Sequence, residues 1–328
     1  MTTTDSPPRA GTRTGRRRRS SDRGLNRGFR WIAVGAGVLI LVVLAAVALF
    51  LLWQAWPALT AGGDELAAEV PRFPEDTSFL AYVGPLVFGT LLAAVLALCL
   101  AVPVAIGIAL FISHYSPRRL SQALGYLVDL LAAIPSVVYG LWGFLVLAPV
   151  LTPFWLWLNE NLSWIPLYGG QASTTGRAMA TVGVVLAVMI LPIITAVSRE
   201  VFLQTPKLHE EAALALGATR WEVVRTAVLP FGRSGVISAA MLGLGRALGE
   251  TMAVLMIISP GFSYSLDILA AGQHQTIAAY IAADFPESTG LGINTLIAAG
   301  LVLFVITLAV NMTARWIVAR RKEFSGAN

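Results

Sequence analysis

The sequence predicts an all-α integral membrane protein with six transmembrane helices and both termini in the cytoplasm. Three observations carry this. The chain has 328 residues, 56% hydrophobic and only 12% charged, too few charges to solvate a soluble domain of that size. Runs long enough to cross the hydrocarbon occur six times, five of them uncharged, near 32–56, 84–112, 130–151, 178–198 and 293–314, and one interrupted by charges, near 235–258. Of the 23 Lys and Arg residues, 20 fall in segments that an inside N-terminus places in the cytoplasm.

The same composition excludes several classes of chemistry. The single cysteine, Cys99, lies in an apolar run, so neither a disulfide framework nor a thiolate metal site is available. His114, His209 and His274 share no ligand-like spacing. Neither Lys207 nor Lys322 follows a glycine, as the lysine of a phosphate-binding loop must. If ATP is used, another polypeptide supplies it. No nucleophile with a matching base stands in any run, so no catalytic residue, metal site or cofactor is expected in this chain.

Residues 1–28 are rich in Arg, Ser, Thr and Pro, with Arg16 to Arg19 as a block, and are expected to be a disordered cytoplasmic segment. An arginine cluster directly before an apolar run reads as a topology signal, with a nucleic-acid-binding tail as the competing reading. Residues 29–83 are read as the first span and its external loop. The run 32–56 is too long for a signal-peptide core, and Trp53 and Trp56 sit where interfacial anchors belong. Residues 84–318 form the remaining membrane core and 319–328 a cytoplasmic tail.

The first outer loop carries Asp64, Glu65, Glu69, Glu75 and Asp76. The second, about 152–176, holds Trp155, Trp157, Trp164 and Tyr168, and the third, 259–292, a short helix around 277–283. An acidic outer face does not attract anions, so these loops read as interfacial anchors and partner contacts.

In the third run Pro135 removes a helix hydrogen bond and is expected to break the span at mid-depth, with the hydroxyls of Ser136 and Tyr139 nearby. A kink made only for packing fits these residues equally well. Asp129 is expected in the first turn of this span, where the helix dipole tolerates it.

The longest charged segment between two spans runs over 199–230. Glu211, Ala212 and Ala213 are expected to start a short helix with Glu210 and Glu211 near its positive end, and Gly217 to stop it. Trp221, Val224, Ala227 and Val228 resume a helical apolar spacing, which makes a helix-turn-helix outside the lipid.

The fifth run carries Arg246 near its middle and Glu250 one turn later. Charges at that depth face protein or water and mark substrate pathways by default, although a self-neutralising ion pair is the alternative. On a helical wheel Gly235, Ala239, Gly243, Arg246 and Glu250 share a sector, opposite Ile237, Met241, Leu244 and Leu248. Gly245 and Gly249 read as a small-residue contact between helices.

Glu211, Ala212, Ala213, then Gly217, then Leu229 and Pro230 resembles the cytoplasmic loop of bacterial ABC-importer permeases. Ala227 departs from that pattern, which has an isoleucine-like residue there. The stretches 134–143 and 246–251, in order around this loop, resemble the PstC-type permeases of phosphate-specific importers over about residues 30–320. The resemblance implies an ABC-importer permease fold and import of inorganic phosphate by alternating access. It implies as partners a PstA-like second permease, a PstB-like ATPase dimer and an extracytoplasmic PstS-like phosphate-binding protein. It assigns Glu211, Ala212, Ala213, Gly217, Leu229 and Pro230 to ATPase coupling, and Arg246, Glu250 and Thr251 to the substrate pathway beside Pro135, Ser136 and Tyr139. A permease for sulfate or molybdate, or a secondary transporter independent of any ATPase, remains as an alternative.

Overall fold

The computed structural model describes residues 21–70, 73–75 and 77–322, with side chains described within 27–316. Asp76 and residues 1–20 and 323–328, named above, lie outside these. The chain divides into two units, one ending at Trp53 and the other starting at Gln54. Described residues of the first unit form one uninterrupted helix, the larger part of α1 (Ser21–Thr60), so the chain is already helical within the segment expected to be disordered.

The second unit is built of helices joined by loops, the longest being 163–178 and 258–276, and its only paired extended residues among those described are Ala172 and Ala270. After α2 (Gly63–Glu69) comes α3 (Phe79–Leu110), which runs on into a π turn, Phe111–Tyr115. Next are α4 (Arg118–Ala132), α5 (Ser136–Trp142), a π turn (Gly143–Leu147) and α6 (Ala148–Leu162). Then follow α7 (Met179–Leu203), α8 (Lys207–Ala215), α9 (Arg220–Val223), a π turn (Val224–Val228) and α10 (Leu229–Leu248). The chain ends with α11 (Met252–Ile257), α12 (Ile277–Asp284) and α13 (Leu291–Lys322). Among the described residues, six helical stretches are long and apolar enough to cross a bilayer: Arg27–Thr60, Phe79–Tyr115, Ser136–Leu162, Met179–Leu203, Arg220–Leu248 and Leu291–Trp316. They match the six runs in order.

The core is built around α3 and α7. Ala93, Ala97, Ala101, Ala105 and Ala109 recur every four residues along one side of α3, and all are fully buried. The first four share a cluster with Val182, Leu186, Met189, Ile190 and Ile194 of α7. Lipid is as apolar as leucine, so helices associate in a membrane through close packing, and a methyl-wide stripe permits it. Gly235 and Gly243 of α10 meet Val201 and Ile194 of α7 in the same way. Gly245 and Gly249, expected to make such a contact, make none with another helix among the described residues of this chain: the space beside Gly245 is open, and α10 has ended before Gly249.

The third span starts later than expected. Pro135 stands at its N-cap, not at its middle, because the chain before it forms a separate helix, α4, packed on α7. Asp129 therefore lies in the last turn of α4, exposed, and not in the first turn of a span. The span continues to Leu162, which takes Trp155 and Trp157 out of the second outer loop. Trp155 is buried there, its indole N–H donating to Thr181 Oγ1 at 2.9 Å. The helix expected near 277–283 is α12.

Candidate functional site

Two helix breaks meet. The first follows from Pro135, which lacks an N–H and restricts the residue before it. α4 unwinds through Ala133 and Ile134, whose N–H groups reach back to Leu130 and Leu131 at 3.2 and 3.3 Å, and α5 starts at Ser136. Tyr139, one turn into α5, donates its hydroxyl to Leu131 O at 3.0 Å and so fastens the two sides of the break.

The second break spans Gly249, Glu250 and Thr251, between α10 and α11. Arg246 is in the last turn of α10, where a cation complements the helix dipole. Glu250 is 8% exposed and turns forward: its Oε1 accepts the N–H of Ala253 at 3.1 Å. No ion pair joins it to Arg246 among the described residues. The interruption explains why: once the helix ends at Leu248, residues four apart no longer share a face. Thr251 donates its hydroxyl to Gly249 O at 3.2 Å.

α5 and α11 pack directly against each other. A Cβ on Gly140 would stand 2.7 Å from Ala253 Cα, and one on Gly143 2.7 Å from Ile257 Cδ1. Contact thus advances along both helices in the same direction, so their first turns lie side by side. The start of α5, which carries Ser136 and Tyr139, thus neighbours the start of α11, which Glu250 and Thr251 precede, and Arg246 lies within electrostatic range of Tyr139. The group offers one guanidinium fork and the hydroxyl of Ser136, while the hydroxyls of Tyr139 and Thr251 are given to Leu131 O and Gly249 O. That set of donors suits an oxyanion.

Arg177 was not foreseen as part of this arrangement. Its guanidinium donates to Ile257 O and Ile258 O at 3.4 and 3.1 Å and lies 5.6 Å from the ring centroid of Phe144. It thereby closes the C-terminal end of α11. The signal was present in the sequence, because Arg177 is one of the few arginines outside the cytoplasmic segments.

The cytoplasmic segment is a helix-turn-helix. α8 starts at Lys207 after Pro206, so Glu210 is in its first turn while Glu211, Ala212 and Ala213 follow in the second. The helix ends with Gly217 at φ 84°, with Gly217 N–H donating to Leu214 O at 2.9 Å and Ala218 N–H to Ala213 O at 3.2 Å. This paired closure needs the left-handed backbone that glycine supplies. α9 starts with a reciprocal cap between Thr219 and Glu222, and Leu229 and Pro230 open α10. No residue of α8 is buried; Leu208, Leu214, Leu216 and Trp221 are all exposed. His114, on the π turn that ends α3, lies 3.7 Å from Glu210, linking this helix to the membrane core.

The model of the family "Binding-protein-dependent transport system inner membrane component" matches residues 101–323. The chain is 49% identical to the phosphate transport system permease protein PstC 2 of Mycobacterium tuberculosis, over 88% of this chain and 90% of that one. It is 50% identical to the phosphate transport system permease protein PstC of Mycobacterium leprae, over 84% and 87%. For the protein of that name from Xylella fastidiosa the identity is 40%, over 90% and 91%. Among solved structures, a bacterial ABC transporter that imports the polysaccharide alginate aligns with TM-score 0.60 and 17% identity, covering 91% of this chain and 98% of that one. The MetNI methionine ABC transporter aligns with TM-score 0.52 and 16% identity, over 72% and 96%. At such identities these two structures speak to the fold.

Proposed function

The chain belongs to the family of binding-protein-dependent transport system inner membrane components, and on that premise we propose that it is the permease subunit of an ATP-driven importer of inorganic phosphate. The observation that carries the substrate is the alignment, over most of both chains, with relatives bearing the name of phosphate transport permeases. The chain is a transport component of the multi-pass cell membrane type, not an enzyme.

In this reading phosphate crosses beside the paired starts of α5 and α11. Arg246 contacts its oxygens, with Ser136, Tyr139 and Thr251 as nearby hydroxyls. Phosphate carries roughly one to two negative charges near neutral pH. Arg246 and Glu250 together sum to zero, so a second arginine comes from a PstA-like permease facing this one. Because Glu250 caps α11 and makes no ion pair with Arg246 among the described residues, the guanidinium is available to the anion. A weak, transient site serves transport, since tight binding would hinder release. The exposed apolar face of α8, with Glu211, Ala212 and Ala213, docks into a PstB-like ATPase, and a PstS-like protein delivers phosphate from outside.

The test is radiolabelled phosphate uptake in phosphate-starved cells, comparing wild type with Arg246→Ala and Glu211→Ala at matched expression. Loss of uptake in both, with no competition from sulfate or molybdate, supports the reading. Normal uptake in Glu211→Ala overturns the ATPase coupling, and strong sulfate competition overturns the substrate.

A further inference from the structure

The outer face carries a second site, separate from the two helix breaks. The loops 163–178 and 258–276 are tied together through their backbones. Ser173 N–H donates to Leu269 O at 2.8 Å, Ile268 N–H to Leu167 O at 3.0 Å, and Ala180 N–H to Ile268 O at 2.8 Å. These loops enclose a pocket of about 600 Å³ whose lining includes Ser173, Thr174, Thr175, Ser265, Asp267 and Gln273.

Asp267 sets the chemistry of this pocket. It is 8% exposed, and no described ion pair includes it. Its Oδ1 accepts the N–H of Leu269 at 3.1 Å, and its Oδ2 rests against Gly170, where a side chain would collide. A carboxylate with this little exposure and no ion pair among the described residues retains an attraction for a positive charge.

The surroundings select among cations. No arginine or lysine lines the pocket, so it does not hold phosphate. Asp267 is the single carboxylate there, which under-coordinates a divalent metal ion, and the space is far larger than a bare ion fills. The outer segments are acidic as a whole: Asp64, Glu65, Glu69, Glu75, Glu160 and Glu287 stand against Arg177 among the described residues. Arg177 is already engaged with Ile257 and Ile258. A basic protein surface that inserts one long cationic side chain matches both the pocket and the net charge of the outer segments.

We propose that this pocket receives a lysine or arginine side chain of the extracytoplasmic binding protein, with Asp267 as the counter-ion and the Ser, Thr and Gln groups of the rim accepting the remaining N–H bonds. The inference rests on the reading of this chain as an importer permease and deepens it by naming the docking contact.

The probe is the purified, phosphate-loaded binding protein, titrated onto the complete transporter in lipid nanodiscs at a fixed nucleotide state. Wild-type docking is expected to weaken as NaCl rises. Asp267→Asn keeps an acceptor for Leu269 and is expected to weaken docking by about tenfold while flattening its salt dependence. Thr174→Trp, at the exposed rim, is expected to obstruct the pocket with Asp267 intact and to weaken docking as well. If Asp267→Asn lowers the yield of assembled transporter, Thr174→Trp decides. Docking by both variants equal to wild type overturns this inference alone. Docking that depends on Na+ and is lost in N-methylglucamine of the same ionic strength assigns the pocket to a small cation and overturns it too. Absence of any wild-type docking removes the importer reading as well.

Discussion

The carboxylate of Glu250 accepts the N–H of Ala253 at 3.1 Å, so a buried acid at the second helix break caps the first turn of the helix that follows it. Glutamine preserves the acceptor and alanine does not. Glu250→Ala is expected to lower the stability of the purified protein by about 1–2 kcal/mol, the usual worth of a cap. Glu250→Gln should stay near wild type in the same thermal melt in detergent. An equal loss in both variants would mean that the charge, not the acceptor, holds α11.

Gly140 is where α5 and α11 touch, with room for hydrogen alone. A methyl group would stand 2.7 Å from Ala253 Cα and 3.1 Å from Met256 Sδ. Overpacking of this kind costs about 1–3 kcal/mol. Gly140→Ala should therefore reduce the yield of monodisperse protein on size exclusion and separate the two breaks, lowering uptake. Wild-type yield with wild-type uptake would contradict the close approach.

At Gly217 the obstacle is conformational. Its φ is 84°, and nothing lies within 4 Å of where a Cβ would be. Alanine in a left-handed backbone costs roughly 1–2 kcal/mol. Gly217→Ala should reorient the turn between α8 and α9 and lower ATP hydrolysis stimulated by the binding protein, whereas Gly217→Asn, more tolerant of this φ, should retain more of it.

Leu216 is 90% exposed at the end of α8, so a charge there disturbs nothing within this chain. Leu216→Asp should melt with wild-type stability yet bind the ATPase subunit about tenfold more weakly in co-purification, as expected of an apolar anchor at a protein interface. Undiminished association would move the docking face away from the end of α8.

Arg177 donates to two carbonyls at the end of α11 and lies over Phe144. Lysine keeps the charge and loses the planar fork. Arg177→Lys is expected to cost about 1.5 kcal/mol in the detergent melt, the worth of a hydrogen bond to a charged group. No change would mean that α11 is held by its packing alone.

The number, order and orientation of the spans were legible in the sequence, because bilayer thickness sets how many apolar residues a crossing needs and arginine placement sets direction. Gly217 was legible for a similar reason, since a helix stop is a local property of the backbone. Tertiary structure alone decided where helices break and what the break residues face. Pro135 can kink a helix or start one, and only the packing of α4 on α7 made it a start. Arg246 and Glu250 are four apart, a spacing that pairs them on a continuous helix. The end of α10 at Leu248 gave Glu250 to Ala253 instead. Asp267 looks in sequence like any acid of an outer loop, and its burial arises from two loops joined far apart along the chain. Hydropathy and backbone preference act over a few neighbouring residues, so sequence determined the spans and turns. Contacts between α5 and α11, or between the outer loops, depend on which surfaces meet after folding, and only the assembled structure decided those.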